Sequence, residues 1–326
     1  MKLFSFLIAG LLAPAPAGAA DPVAVTAAPV SSFGAAADRK SFGPFEWRGG
    51  LELTSSEAKF GGLSGLVLTA DCTGLLAVSD AGRWFRGRLA YDGARLAGLA
   101  DAELAPMLDD KGRPPRNKPR GDAEAVADLG GGKLLVGFES RPRIGIYDIG
   151  KSGLDAIFQA VKSPREIKSG PGNEELESVG RFATGPFKGE LIAISEFNAD
   201  ARGNIRAWVW NAKRTVAFSV QRHEDYKITD LALLPDGGIL ILERSFGSSL
   251  LPGMAIRRFE ASAIKEGGTV EPQLLFAGRA PFYAIDNMEG IALCIRDSET
   301  RITIVSDNNF NTGLQRTLLL QFAYTP

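Results

Sequence analysis

The sequence is poor in the residues that serve several common kinds of catalytic site. Its 326 residues include one histidine, His223, and two cysteines. A single histidine excludes a histidine-rich zinc site, and His223 lies in the polar run 221–225, which is typical of a surface loop rather than of a catalytic base. A phosphate-cradling Gly-x-x-x-x-Gly-Lys-Ser/Thr run and a Gly-x-Ser-x-Gly elbow are also absent, so neither a P-loop nor an α/β-hydrolase site is expected.

Excess charge and long hydrophobic runs are lacking as well. The formal net charge is −1, which argues against a nucleic-acid surface and against a polybasic membrane patch. An apolar run at residues 3–12 follows Lys2 and precedes small residues, and it is too short to span a bilayer. This pattern predicts a signal peptide at residues 1–20 and a periplasmic or secreted protein with no membrane span.

A repeated unit dominates the rest of the chain. Its last copy, Glu289-Gly290-Ile291-Ala292-Leu293 with residues 301–307, has an acidic residue, a small residue and an apolar strand, then a turn, a second strand and another acidic residue. Five copies begin at residues 64, 124, 177, 230 and 289, with spacings of 60, 53, 53 and 59 residues. Such a period indicates stacked or radially arranged units, and the further short strands in each copy are typical of β-propeller blades.

We therefore predict an all-β fold in which residues 41–326 form a single β-propeller domain after a linker at residues 21–40. Five blades are visible, and a sixth, degenerate blade between residues 91 and 120 remains an alternative. The last copy lacks a fourth strand, whereas residues 45–53 alternate like a strand before the first copy. An N-terminal strand that completes the last blade would close the ring and leave no open sheet edge.

The two cysteines leave two interpretations open. In the repeat register, Cys72 lies in the turn after the first strand of the first copy, and Cys294 lies near the end of the first strand of the last copy. Ring closure would make these copies neighbours, and an exported compartment permits a disulfide between them. Two buried free thiols are the equally supported alternative.

Acidic positions at the ends of the repeated strands point to a site. In an antiparallel pair the start of one strand lies beside the end of the next, so the marked positions of each copy should meet at one end of the blade. Because innermost strands surround the propeller axis, these residues should converge on one mouth of the channel. Nine of the ten are carboxylates: Ser64 and Asp80, Glu124 and Glu139, Glu177 and Glu196, Asp230 and Glu243, and Glu289 and Asp307.

So many carboxylates would raise one another's pKa unless cations neutralise them. A divalent cation, expected to be Ca²⁺, and the arginines that follow the second strands could both do so. We predict three sets of site residues. They are Glu124, Glu177 and Glu289 as catalytic residues, Asp230, Asp307, Glu177 and Glu289 as metal ligands, and Arg83, Arg143 and Arg244 for binding the substrate.

An architectural role competes with this interpretation. Each carboxylate taken alone is better explained by an ion pair with arginine or by hydrogen bonds from backbone N–H groups of the next blade. For the set, a functional mouth is favoured because crowded charge is costly to keep for structure alone. Two basic loops, residues 113–120 and 162–168, precede Glu124 and Glu177, and they either bring cations to an anionic substrate or are ordinary solvated loops.

Four runs resemble a known family. They are Gly62-Leu63-Ser64-Gly65-Leu66, Asp122-Ala123-Glu124-Ala125-Val126, residues 233–246 and Asn287-Met288-Glu289-Gly290-Ile291. Together they resemble the exported bacterial proteins of the phytase-like, "esterase-like activity of phytase" family, over roughly residues 45 to 325. The resemblance implies a β-propeller with phosphoester or ester hydrolase activity. The chain lacks the Arg-His-Gly-x-Arg-x-Pro run of histidine acid phosphatases, which excludes a phosphohistidine mechanism.

The resulting hypothesis is a monomeric, exported hydrolase of phosphate esters or related esters. Its substrate would be a small anionic or ester molecule bound at the acidic mouth with a divalent cation. Two alternatives stay open: a non-catalytic propeller that binds a ligand or protein of the cell envelope, and a lactonase-type sugar-acid hydrolase.

Overall fold

The computed structural model describes residues 20–168, 176–247 and 251–326, and it shows the predicted all-β fold. Five sheets are arranged as the blades of a five-bladed propeller. The predicted signal peptide lies outside the described residues except for residue 20. Within the described ranges the helices are single turns, α1 (Lys118–Gly121) and α2 (Ile149–Ser152), and none of them could span a bilayer.

The strands follow one another blade by blade. The chain begins with β1 (Asp21–Pro22), β2 (Thr26–Val30), β3 (Ser41–Phe42) and β4 (Phe45–Thr54). Blade 1 contains β5 (Leu63–Leu68), β6 (Gly74–Ser79), β7 (Arg83–Asp92) and β8 (Arg95–Pro106). Blade 2 contains β9 (Ala123–Gly130), β10 (Lys133–Phe138), β11 (Arg143–Asp148) and β12 (Gln159–Ala160).

The last three blades repeat this plan. Blade 3 contains β13 (Ser178–Arg181), β14 (Leu191–Ala199), β15 (Ile205–Trp210) and β16 (Thr215–Val220). Blade 4 contains β17 (Lys227–Leu233), β18 (Gly238–Ser245) and β19 (Gly253–Glu260). The outer strand β20 (Thr269–Val270) returns to blade 3, and β21 (Gln273–Arg279) completes blade 4. Blade 5 contains β22 (Met288–Arg296), β23 (Glu299–Ser306) and β24 (Thr317–Tyr324).

The N-terminal strand β4 closes the ring as predicted. It pairs antiparallel with β24, with Leu51 opposite Leu319, so the first and last strands of the domain share blade 5. Its aromatic side chains are buried in the same cluster as those of β24, and the Trp47 and Phe322 rings lie 5.2 Å apart. Closure therefore combines backbone hydrogen bonds with burial of aromatic surface.

Residues 21–40, expected to be a linker, contain strands instead. β1 pairs with β8 at the outer edge of blade 1, and β2 pairs with β4 at the outer edge of blade 5. Pro22 and Pro29 are tolerated because an edge strand needs hydrogen bonds on one side alone. Residues 91–120, where a sixth blade was an alternative, form the outer strands of blade 1 and the loop that carries α1.

Small residues let the inner strands of neighbouring blades approach one another. The inner strands β5, β9, β13, β17 and β22 pack in sequence around the axis, with β22 against β5. A Cβ added to Gly290 would lie 2.3 Å from the carbonyl oxygen of Ser64, and one added to Gly65 would lie 2.6 Å from the backbone nitrogen of Val126. Close packing at the axis therefore explains why a glycine follows the marked residue, Ser64 or Glu289, in these two copies.

A disulfide joins the blades at the closure. Cys72, in the turn between β5 and β6, is bonded to Cys294 on β22, with a Cα–Cα distance of 5.5 Å. The bond spans 222 residues of sequence and connects blade 1 to blade 5. Of the two interpretations of the cysteines, the structure thus supports the disulfide.

Candidate functional site

The acidic ends of the inner strands surround a cavity of about 300 Å³ at one end of the propeller axis, which we call the channel mouth. Seven carboxylates and three cationic side chains line it, a formal excess of four negative charges if all are ionised. The lining residues are Asp80, Lys118, Glu124, Glu139, Glu177, Glu196, Lys227, Arg244, Glu289, Asp307 and Asn309. Seven of the ten marked positions therefore converge as the repeat pattern predicts.

Irregular strand pairing positions two of these carboxylates. On β9, Ala123 and Ala125 pair with consecutive residues of β10, so Glu124 is an extra residue in the ladder. Glu289 on β22 is extra in the same way, between the paired residues Met288 and Gly290. Such β-bulges redirect a side chain at the end of a strand. Both glutamates line the mouth.

Three carboxylates from two blades form the tightest group. One oxygen of each of Glu139, Glu177 and Glu196 lies within 4.8 Å of the others. Glu177 is 5% exposed and Glu196 is 2% exposed, so water alone cannot solvate this concentration of charge. Hard divalent cations prefer several carboxylate oxygens, and this group offers three. These residues could hold such a cation.

A second group shares Glu139 with the first. Oxygens of Asp122, Glu124 and Glu139 also lie within 4.8 Å of one another. Ser64 of blade 1 donates a hydrogen bond from its hydroxyl to Glu124 Oε2 at 2.7 Å and so fixes this carboxylate across the blade boundary. Ser64 therefore serves the site indirectly, by orienting Glu124.

Arg244 is the predicted substrate-binding arginine that the structure places in the mouth. It donates to Glu289 Oε1 at 2.5 Å and to Glu196 Oε1 at 3.0 Å. Burial alone would lower the pKa of Arg244, but the charges of the neighbouring glutamates outweigh burial and raise it. The guanidinium is therefore charged at every physiological pH and partly offsets the acidic excess.

Arg83 and Arg143 do not line the mouth. Arg83 begins β7 of blade 1. The Arg143 guanidinium lies 3.7 Å from the centre of the Phe138 ring and lines a different cavity beside the mouth. The cations that accompany Arg244 are instead Lys118, 2.6 Å from Asp80 Oδ2, and Lys227.

Asp230, a predicted metal ligand, is directed toward the next blade. Its Oδ1 accepts a hydrogen bond from the backbone N–H of Leu231, and its Oδ2 accepts one from the N–H of Ile291, both at 2.8 Å. It does not line the mouth cavity, because one bond from its own strand and one from blade 5 hold both oxygens between the inner strands. The bond from Ile291 is the kind of contact expected if the carboxylate has an architectural role, which was the alternative to metal binding in the sequence analysis.

Glu243 and His223 form part of an internal ion pair. Arg257 donates to both oxygens of Glu243, at 2.8 and 2.5 Å, and His223 Nδ1 lies 3.1 Å from Glu243 Oε2. The His223 ring stacks on Tyr226 with 4.6 Å between centroids. The histidine thus packs against blade 4, away from the residues that line the mouth.

Burial and crowding raise the pKa values of the mouth carboxylates. Burial, the largest cause, and the neighbouring carboxylates raise the pKa of Glu177 and of Glu124 well above the ordinary value. Burial also raises the pKa of Glu289 to about 8, although Arg244 opposes it, and that of Asp307 to about 7. Protons and a cation would therefore compete for the mouth near neutral pH.

Sequence reasoning missed Asp122 and the two lysines as site residues. Asp122 stands directly before β9 and two residues before Glu124, so the end of α1 and the bulge at Glu124 decide where the two side chains lie. It is 2% exposed and accepts hydrogen bonds from the backbone N–H and the hydroxyl of Ser140. Lys118 belongs to the basic loop at residues 113–120, which does deliver a cation to the mouth, whereas no sequence signal marked Lys227.

Comparison with known proteins gives a family match. A family model named Phytase-like, described as "Esterase-like activity of phytase", matches residues 58–310. No curated protein matches the chain significantly.

Several solved structures are similar to the chain at low sequence identity. A gluconolactonase from Xanthomonas campestris is 11% identical, with 95% of this chain and 99% of that chain covered and a TM-score of 0.44. An enzyme described as GH43_1 from Xanthomonas citri is 10% identical, with 81% and 88% covered and a TM-score of 0.47. The allergen Mala s 1 of Malassezia sympodialis is 12% identical, with 85% and 88% covered and a TM-score of 0.41.

Proposed function

The chain belongs to the phytase-like family, whose model matches more than half of it, and we propose that it is an exported hydrolase of phosphate esters or related esters. In this proposal the channel mouth holds a divalent cation, expected to be Ca²⁺, next to the scissile ester. The observation that carries it is the group of Glu139, Glu177 and Glu196, whose oxygens lie within 4.8 Å of one another. The formal excess of four negative charges in the lining supports it.

The cation ligands would come from the tight group, with Asp307 and Glu289 at its margin. When bound, the cation would polarise the phosphoryl or carbonyl oxygen and lower the pKa of a water molecule. Glu124 is the best candidate to accept the proton of that water, because Ser64 fixes one of its oxygens and leaves the other available. Arg244, Lys118 and Lys227 supply positive charge for an anionic substrate.

The guanidinium donors of Arg244 that would bind an anionic substrate are already bonded to residues of the mouth. Its Nη1 is bound to Glu289 and to Asn287 Oδ1, and its Nη2 to Glu196. A cation that neutralises Glu196 and Glu289 weakens this hold on the guanidinium. Cation binding is therefore expected to free Arg244 for an anionic substrate, so that substrate affinity depends on the cation.

Hydrolysis assays test the proposal. The purified mature chain is assayed with a phosphomonoester and with a carboxylic ester, first with Ca²⁺ and then with excess chelator. We expect turnover with Ca²⁺, its loss with chelator, and at least tenfold weaker Ca²⁺ binding by Glu177→Gln in calorimetry. Glu103→Gln on β8 is the matched control, since Glu103 pairs with Arg86 on the outer strands of blade 1 and does not line the mouth.

The assays also separate the competing functions. Ca²⁺ binding without turnover of either ester would favour a propeller that binds a ligand without hydrolysing it. Turnover of sugar lactones in preference to both esters would favour the lactonase alternative. Ca²⁺ binding that is unchanged in Glu177→Gln would remove this residue from the cation site.

A further inference from the structure

A second cavity, of about 420 Å³, lies beside the channel mouth on blade 2. We call it the arginine pocket. Six cationic side chains and two carboxylates line it: Lys111, Arg113, Arg116, Arg120, Arg141 and Arg143, with Asp109 and Asp110. The charge is therefore opposite to that of the mouth, with a formal excess of four positive charges.

Most of these guanidinium groups have no acidic partner within the described ranges. Arg113 is paired with Asp109 at 2.8 Å. Among residues 20–168, 176–247 and 251–326, no carboxylate lies within 4.0 Å of the guanidinium nitrogens of Arg120, Arg141 or Arg143. The pocket thus gathers more cations than its two carboxylates can neutralise.

Backbone carbonyl groups orient Arg143, which is less exposed than Arg120 and Arg141. Arg143 donates from Nη1 to the carbonyl oxygen of Arg141 at 3.1 Å and from Nη2 to that of Arg120. Burial is the largest cause that lowers the pKa of Arg143; the charges of Arg141 and Arg120 also lower it, while Tyr147 and Asp122 oppose the shift. An anion in the pocket would relieve this repulsion.

Aromatic side chains lie next to Arg143 in the lining of the pocket. Phe138, Tyr147 and Phe158 line the pocket, and the Arg143 guanidinium lies over the Phe138 ring at 3.7 Å. Guanidinium groups bind phosphate and carboxylate through paired N–H donors. Phe138 and Tyr147 are buried, whereas Phe158 is half-buried and leaves part of its ring open to the apolar part of a ligand. The two surfaces together suit an oxyanion that is carried on an apolar body.

We propose that the arginine pocket binds such a molecule, a phosphate or carboxylate group on an aromatic or similar apolar body, through Arg120, Arg141 and Arg143. The pocket and the mouth lie on either side of α1, which gives Lys118 to the mouth and Arg120 to the pocket. The binding reaction needs no divalent cation. It is therefore independent of the hydrolase proposal.

Calorimetry in the presence of chelator tests the pocket alone. Phenyl phosphate and benzoate are titrated into the full mature chain, with phenol as the uncharged probe and inorganic phosphate as the probe without an apolar body. We expect one of the two aromatic anions to bind at least tenfold more tightly than phenol and than inorganic phosphate. Whichever of phenyl phosphate and benzoate binds more tightly shows whether the pocket prefers a phosphate or a carboxylate group. The affinity for this anion should fall with added salt.

Variants locate the binding. Arg141→Gln and Arg120→Gln, both at exposed positions, should each weaken the tighter anion by about tenfold. The matched control is Arg202→Gln, an exposed arginine in the turn between β14 and β15 that does not line the pocket, and it should bind as the parent does. Glu177→Gln should also bind the anion normally, since the mouth is not involved.

Two results would overturn the proposal. One is that the folded chain binds neither phenyl phosphate nor benzoate more tightly than both phenol and inorganic phosphate. The other is binding that Arg141→Gln and Arg120→Gln leave unchanged.

Discussion

Arg244 of blade 4 donates a hydrogen bond to Glu289 of blade 5, with 2.5 Å between Nη1 and Oε1. Through Nη2 the same guanidinium binds Glu196 of blade 3, at 3.0 Å. One arginine therefore ties three consecutive blades together at the channel mouth. It also supplies positive charge from blade 4 at the point where carboxylates of the other four blades converge.

Replacing Arg244 with methionine should lower the free energy of unfolding by about 3 kcal/mol, because Glu196 and Glu289 are then left buried without their partner. Saturating Ca²⁺ should restore part of the loss, since a cation can neutralise the same carboxylates. Urea unfolding with and without Ca²⁺ measures both effects.

The control for this prediction is Arg88→Met. Arg88 pairs with Asp101 in an exposed ion pair on blade 1, where both side chains are more than half exposed. Such a pair contributes about 0–1 kcal/mol. A loss in Arg244→Met no larger than that in Arg88→Met would show that the three-blade contact does not stabilise the ring.

Asp230→Asn should separate architecture from cation binding. An amide has one acceptor oxygen, so the N–H of Leu231 or that of Ile291 would face an NH₂ group instead of a carboxylate. We expect a loss of about 2 kcal/mol in unfolding free energy, while Ca²⁺ affinity stays within about twofold of the parent. Calorimetry that showed a tenfold loss of Ca²⁺ affinity would instead place Asp230 among the ligands.

The repeat pattern was enough to predict the propeller, its ring closure and the convergence of carboxylates. These features depend on strand periodicity and on the antiparallel pairing of neighbouring strands, which the sequence encodes locally. The direction of each side chain was not predictable in the same way. Asp230 and Glu289 occupy equivalent positions in the repeat, yet the bulge in blade 4 falls at Thr229 and the bulge in blade 5 falls at Glu289 itself.

Arg143 illustrates the same limit. Its place at the start of β11 follows from the sequence, but its packing on Phe138 depends on contacts between strands. The edge strands in residues 21–40 could not be predicted for a different reason. Their composition is typical of a linker, and they become strands because they pair with β8 and β4 elsewhere in the chain.

Removing the disulfide should destabilise the closed ring. The double variant Cys72→Ser, Cys294→Ser should lose about 4 kcal/mol in unfolding free energy, because the bond closes a loop of 222 residues. The expected result in urea unfolding is a lower midpoint for the variant. Dithiothreitol should lower the midpoint of the parent toward that value and leave the variant unchanged. Equal midpoints for the oxidised parent and the variant would contradict the prediction.

The stability of the cation-free protein should fall as the pH rises from about 5 to 8. Burial raises the pKa of Glu289 to about 8 and that of Asp307 to about 7 in the folded protein, against ordinary values of 4.5 and 3.8. Between these limits the folded state retains protons that the unfolded state releases, so unfolding is favoured as the pH rises. The stabilisation is complete below about pH 4 and is lost as the pH passes through 7 to 8.

Calorimetric melting in chelator across pH 5–8 measures this trend, and we expect the melting temperature to fall by several degrees.

Saturating Ca²⁺ should reduce the slope of melting temperature against pH, because a bound cation keeps the carboxylates ionised in the folded state. It should also bind more tightly at pH 8 than at pH 6, since each proton that it displaces is then easier to remove. Glu289→Gln removes one of the titrating carboxyl groups and should reduce the slope of the cation-free profile. Glu103→Gln, on the outer strands of blade 1, should leave the profile as in the parent. A melting temperature in chelator that is constant from pH 5 to pH 8 would show that the mouth carboxylates are already ionised in the cation-free protein.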